Sequence, residues 1–79
     1  MIVELRVFGD LRPFIPERKL GEPHPLELED NSNVKNVLVK LQIPETLAKI
    51  IMINGRPESL DDKLYDGDRL ALFPAIAGG

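Results

Sequence analysis

The sequence ends Phe73-Pro74-Ala75-Ile76-Ala77-Gly78-Gly79, and the group in it best suited to chemistry is not a side chain. Gly79 is expected to carry a free carboxylate, whose reference pKa of about 3.3–3.7 keeps it ionised near neutrality. Gly78 and Gly79 place no Cβ beside that carboxylate and accept backbone angles closed to other residues. The stretch from Phe73 to Gly79 spans roughly 20 Å at about 3.3–3.6 Å per residue. Such a tail is slender enough to thread a narrow tunnel and present a carboxylate to a bound nucleotide in a partner's active site. The bland alternative is that a terminal diglycine is a frayed end.

The remaining chemical inventory is thin. The chain has no cysteine, which excludes disulfides, thiolate metal sites, cysteine nucleophiles and side-chain persulfides. Asp61-Asp62 and Asp66-Gly67-Asp68 have the residue types of a calcium loop, but such a loop needs further ligands and a terminal Glu at fixed spacing. Asp and Gly are also the ordinary turn residues, so turns are expected there and no metal site. His24, between Pro23 and Pro25, reads as a solvated loop imidazole, with no nucleophile beside it in the sequence to activate. Ser32, Thr46 and Ser59 read as cap or loop residues. No Gly-rich phosphate loop is present, so no nucleotide is expected to bind this chain.

The elements that must carry the tail follow from periodicity. Residues 2–8 alternate, with Val3, Leu5 and Val7 against Glu4 and Arg6, as in a half-buried strand. Gly9 ends it, and residues 10–14 have room for one helical turn before Pro13 and Pro16. Residues 16–25 read as a loop punctuated by Gly and Pro. Leu26 and Leu28 alternate with Glu27 and Glu29 in a second short strand. Ser32 is the best-placed N-cap for a helix whose apolar face is Val34, Val37, Leu38 and Leu41, ending by Pro44. Residues 49–53 form a β-branched third strand. Asn54-Gly55 is a hairpin turn into a short strand near 57–60, and Leu60 and Leu64 pack inward. Asp66-Gly67-Asp68 turns the chain into a last strand over 69–73, which Pro74 stops. One amphipathic helix needs one sheet face to cover. The order is therefore β-β-α-β-β-β, an α+β fold with a mixed four- to five-stranded sheet. The first two strands should pair as a long-looped hairpin and the last should lie parallel beside the first. Period two sends Ile51, Ile53, Leu70 and Leu72 to the helix side and Ile50, Met52, Ala71 and Phe73 to the other. Those four either merge into an apolar docking patch beside the tail, or leave Phe73 partly covered by the loop at 8–14, as isolated surface apolars often are.

This layout resembles the ubiquitin-like β-grasp family of sulfur carriers (MoaD/ThiS-like), and most of all the small subunit of molybdopterin synthase. The residues that carry the resemblance are Val7-Phe8-Gly9-Asp10-Leu11-Arg12, Asn54-Gly55, Asp66-Gly67-Asp68 and the run from Leu72 to Gly79. The ending departs from the family pattern at Ala75, where a second proline is more usual, and the loop at 18–25 has no counterpart. The resemblance implies a β-grasp domain over 1–74 and a flexible Gly-Gly tail over 75–79. It implies that an E1-like adenylyltransferase, which holds the ATP and Mg, adenylates Gly79. A sulfur donor then makes a thiocarboxylate, and a large synthase subunit binds the pterin precursor that accepts the sulfur. The chain itself would be a carrier and co-substrate, not an enzyme. Gly78, Ala77 and Ile76 would thread the tunnel, while Phe73, Met52, Ile50 and Ala71 dock. Three other roles share the fold: a thiamine-pathway carrier, a protein modifier joined to lysines through Gly79, and a passive interaction module.

Composition agrees with a small carrier. Seventy-nine residues allow one domain. Aromatics supply only 5% of the chain, so aliphatic side chains must fill the core. Ten basic against thirteen acidic residues give a net charge of −3, with no basic cluster of the kind nucleic-acid binding requires. No apolar run approaches the roughly 20 residues of a membrane span, and the charged opening Met1-Ile2-Val3-Glu4-Leu5-Arg6 does not read as a secretory signal. The expectation is a cytoplasmic protein.

Overall fold

Alternation builds the first strand as expected. The computed structural model describes residues 1–15 and 23–75. Within them, β1 (Ile2–Val7) buries Val3 and Leu5 and exposes Glu4 and Arg6. A 3₁₀ turn over Gly9–Phe14 follows, driving Leu11 into the core. Then come β2 (His24–Glu27), α1 (Val34–Leu41), β3 (Ile50–Ile53), β4 (Arg56–Pro57) and β5 (Arg69–Phe73). The five strands form one mixed sheet in the order β2-β1-β5-β3-β4. β1 pairs antiparallel with β2 and parallel with β5, and β3 pairs antiparallel with both β5 and β4. β5 thus lies in the middle of the sheet. One face carries Leu5, Leu70, Leu72, Ile51 and Ile53, packed with Val34, Val37 and Leu38 of α1 in a single aliphatic core.

Three boundaries differ from the sequence reading. The N-cap is Asn33, not Ser32. Asn33 and Asn36 cap reciprocally, each backbone N–H donating to the other's side-chain oxygen at 2.8 and 2.9 Å. A Ser32 cap would place Lys35 three residues on, and an ammonium accepts nothing. The Ser32 hydroxyl instead donates to the Glu29 carbonyl at 2.7 Å. The helix closes before Pro44, at Leu41, with Gln42 at φ +59° and its N–H donating to Leu38 and Val39.

The second strand lies two residues earlier than expected. His24 pairs with Leu5 and Pro25 with Glu4. β2 is an edge strand, where a proline's missing N–H costs no ladder bond. Leu28, beyond the strand, is still buried and donates its N–H to Met1. β4 starts one residue earlier than expected, because the two-residue Asn54-Gly55 turn, at φ +52° and +82°, sets Arg56 opposite Ile53, and it is shorter, pairing only Arg56 and Pro57.

The Asp-Gly-Asp turn ties both halves of the sheet. Asp66 accepts from the Ile2 N–H at 2.7 Å, and Gly67 donates to the Ile2 carbonyl at 2.8 Å. Asp68 accepts from the Tyr65 N–H at 2.8 Å and the Asn54 side-chain amide at 3.0 Å, while Asn54 accepts from the Arg69 N–H at 2.9 Å. Both carboxylates thereby hold the chain's own donors.

Candidate functional site: the outer sheet face and the root of the tail

The face of the sheet turned away from α1 is set by the same alternation that buries Leu70 and Leu72. Register places Phe73 opposite Ile50, and Ala71 opposite both Met52 and Arg6. The four residues expected at a docking face, Phe73, Met52, Ile50 and Ala71, therefore form two adjoining rows across β5 and β3. Ile50 is 41% exposed, and Phe73, Met52 and Ala71 are half-buried.

Phe73 is partly covered by the loop at 8–14, as one of the two readings expected, while it shares its face with Ile50, Met52 and Ala71. Phe8, 37% exposed, stacks on Phe73 with ring centroids 4.5 Å apart and planes 3° from parallel. One side of the Phe73 ring is thus covered by the residue that follows β1, and the rest of the face stays open. A shallow groove of about 310 Å³ runs along it, floored by Ala71 and walled by Arg6 and Met52, with Phe73 and Arg69 at its ends. Arg6 and Arg69 outnumber Glu4 there, so this face is locally basic on a chain of net charge −3.

Pro74 and Ala75 leave this face at the end of β5. The root is held on both sides: Phe8 donates its N–H to the Leu72 carbonyl at 3.1 Å, and Lys49 donates to the Phe73 carbonyl at 3.0 Å. Gly9 lies against the Pro74 ring; a Cβ built on it would fall 2.9 Å from Pro74 Cγ. Sequence reading placed the loop at 8–14 against Phe73 but missed the contact of Gly9 with Pro74. The signal was available, because a parallel β1–β5 pair sets the two strands' C-terminal ends side by side. Phe8-Gly9 must then adjoin Phe73-Pro74.

The expectations on Ile76, Ala77, Gly78 and Gly79, and on the loop at 16–22, lie outside the described residues. His24, expected in a loop, stands in β2 opposite Leu5. Among the described residues no group of three His, Cys, Asp or Glu could hold a metal ion, and no helix is long and apolar enough to cross a membrane.

One helix on a five-stranded mixed sheet, with the first and last strands parallel at its centre, makes this a ubiquitin-like β-grasp protein. The chain belongs to the Mut7-C ubiquitin family, whose family model matches residues 1–78. Among solved structures, it is similar to the HVO 2177 protein of Haloferax volcanii (25% identity, TM-score 0.77), covering all of this chain and 87% of that one. It is similar over the whole of both chains to SAMP1 from Haloferax volcanii (19%, TM-score 0.71). A third similar chain, from the complex of subunits 1 and 2 of the molybdopterin-converting factor of Helicobacter pylori, is 27% identical with a TM-score of 0.60, again over the whole of both chains. A comparison with curated proteins gives no match.

Proposed function

We propose that this chain is a sulfur carrier that works as the small, non-catalytic partner of larger enzymes. The observation that carries the reading is the tail root: the central strand ends in a doubly anchored Phe73-Pro74 at the rim of an exposed apolar face. A body docked through Ile50, Met52, Ala71 and Phe73 would aim the following residues into its partner. The similarity to a chain of the Helicobacter pylori converting-factor complex supports a partnered role and favours the molybdopterin route over the thiamine one.

The chemistry assigned to Gly79 balances as two substitutions. A carboxylate oxygen attacks the α-phosphorus of ATP held with Mg by an E1-like adenylyltransferase, and pyrophosphate leaves. A donor of sulfur at the sulfide level then attacks the acyl carbon, and AMP leaves, giving the thiocarboxylate. The large synthase subunit presents the pterin precursor that takes the sulfur. This chain contributes the acyl group, its reach and its docking face, and the enzymes contribute the catalysis.

The test is an intact-mass measurement on the protein purified from cells and after incubation with the adenylyltransferase, ATP and a sulfide donor. The expected result is a chain ending at Gly79 that gains the mass difference of one oxygen exchanged for sulfur, on its C-terminal peptide. Gly78→Val, or one Ala added after Gly79, should abolish the gain and leave the fold intact. A still-adenylated extended variant would refute the assignment. Lysine-linked adducts without a thiocarboxylate would instead make the chain a protein modifier, and harmless deletion of Gly78 and Gly79 would make it a passive module.

A further inference from the structure

Three glycines among the described residues have positive φ: Gly9 at +57°, Gly55 at +82° and Gly67 at +86°. They do not need glycine for the same reason. A Cβ added at Gly55 or Gly67 would meet nothing within 4 Å, so the backbone angle alone accounts for them. At Gly9 a Cβ would also lie 2.9 Å from Pro74 Cγ and 3.4 Å from Cδ. Two residues distant in sequence share that space, and one of them is the last before the tail.

We propose that Gly9 is a positioning residue for the tail. By having no side chain it seats the Pro74 ring, and with the Phe8–Phe73 stack it sets the direction in which the chain leaves the sheet at Ala75. The proposal rests on the carrier reading for its enzymatic readout and deepens it.

The mechanics follow from the parts that cannot yield. The proline ring closes onto its own backbone nitrogen and fixes φ near −65°. Cγ can yield by a change of ring pucker, but Cδ, 3.4 Å from the same Cβ, is bonded to the backbone nitrogen and moves only with the chain at residue 74. The strand behind it is held by the Phe8 to Leu72 and Lys49 to Phe73 hydrogen bonds. The loop that carries Gly9 is held by the Leu11 N–H donating to the Phe8 carbonyl at 3.2 Å and by Leu11 itself, fully buried. With both jaws anchored, a methyl on Gly9 tilts the segment beyond Pro74.

The experiment is a double-mutant cycle of Gly9→Ala and Pro74→Gly, read by ATP–pyrophosphate exchange with an E1-like adenylyltransferase and by thermal melting. Gly9→Ala alone should lower kcat about tenfold or more and leave KM within about twofold, because docking survives while the reacting group is misplaced. On the Pro74→Gly background, where no ring is left to strike, Gly9→Ala should cost no further kcat. The melting temperature should fall in both backgrounds, since the strain of positive φ remains. An equal loss of kcat in both backgrounds would overturn the proposal, by showing that Gly9 acts through local folding alone.

A second readout needs no enzyme. The chain has no cysteine, so a nitroxide on Ala75→Cys is a unique label. It should broaden the amides around Gly9 and Lys49, and Gly9→Ala should redistribute that broadening. An unchanged pattern overturns the proposal. A redistributed pattern in a protein that is never adenylated supports the seat and counts against the carrier reading alone.

Discussion

Leu72 and Phe73 are neighbours on β5 that face opposite sides of the sheet, and their truncations should fail in opposite ways. Leu72 is fully buried, in register with Val7 and Ile51. Leu72→Ala removes its packing and leaves a cavity in the middle of the sheet, at a cost of about 3 kcal/mol. A domain of this length has roughly 4–12 kcal/mol in total at about 0.05–0.15 kcal/mol per residue. Its melting temperature should therefore drop by roughly 12–24 °C, at about 4–8 °C per kcal/mol. Phe73 is half-buried, and its principal ring contact is the stack on Phe8. Phe73→Ala should cost about 1–2 kcal/mol, of which the stack accounts for roughly 0.5–1.5. Its distinguishing effect should be on docking, where losing an aromatic contact at the rim of the face costs about 1 kcal/mol, roughly fivefold in KM for the activating enzyme. Thermal melting by circular dichroism and adenylation kinetics, run well below both melting temperatures, separate the two. Leu72→Ala should melt early with an unchanged KM, and Phe73→Ala should melt later than Leu72→Ala with a raised KM. A Phe73→Ala protein with wild-type KM would refute the outer face as the docking surface. A Leu72→Ala protein with the larger KM defect would refute the assignment of faces.

Two further perturbations test how the scaffold is built. Asn33→Ala should cost about 1 kcal/mol through loss of the reciprocal cap, and Ser32→Ala less than half of that; chemical denaturation of both proteins ranks them, and a reversed order would contradict the capping geometry. Asp68→Ala removes the acceptor for both the Tyr65 N–H and the Asn54 side chain and should cost roughly 1–2 kcal/mol, with faster amide exchange at Tyr65; unaltered exchange there would show that the turn does not depend on its carboxylate.

Much of this arrangement is legible because each strand carries a period-two code that burial on one side makes unambiguous. Val3 and Leu5, Ile51 and Ile53, and Leu70 and Leu72 all fall inward as their alternation demands. The four outer residues follow as their complement. The helix start is not legible from N-cap preference ranked by residue type alone. The pair decides it, since Asn33 and Asn36 satisfy each other and Ser32 with Lys35 does not. The start of β2 is hidden because Pro25 reads as a breaker, and its tolerance depends on lying at an edge, which one strand's sequence does not state. The seat of Pro74 on Gly9 is the least legible feature. It joins residues 65 positions apart, and only topology brings them together.

That topology also explains why a tail should leave from β5 and not from an edge. A central strand is hydrogen-bonded on both sides, and opening it means breaking two ladders at once. The edge strands of this sheet, β2 and β4, each contain a proline, Pro25 and Pro57. An edge strand keeps one ladder only, so its end is the freest to fray and the least able to aim a tail. Here the residue before the tail is bonded to Lys49 on one side and stacked on Phe8 from the other. The chain beyond Ala75 therefore starts from a fixed origin. On the carrier reading proposed above, a carboxylate that meets a nucleotide inside another protein is served by both properties, a stiff root that narrows the search and a bare end that fits a narrow site.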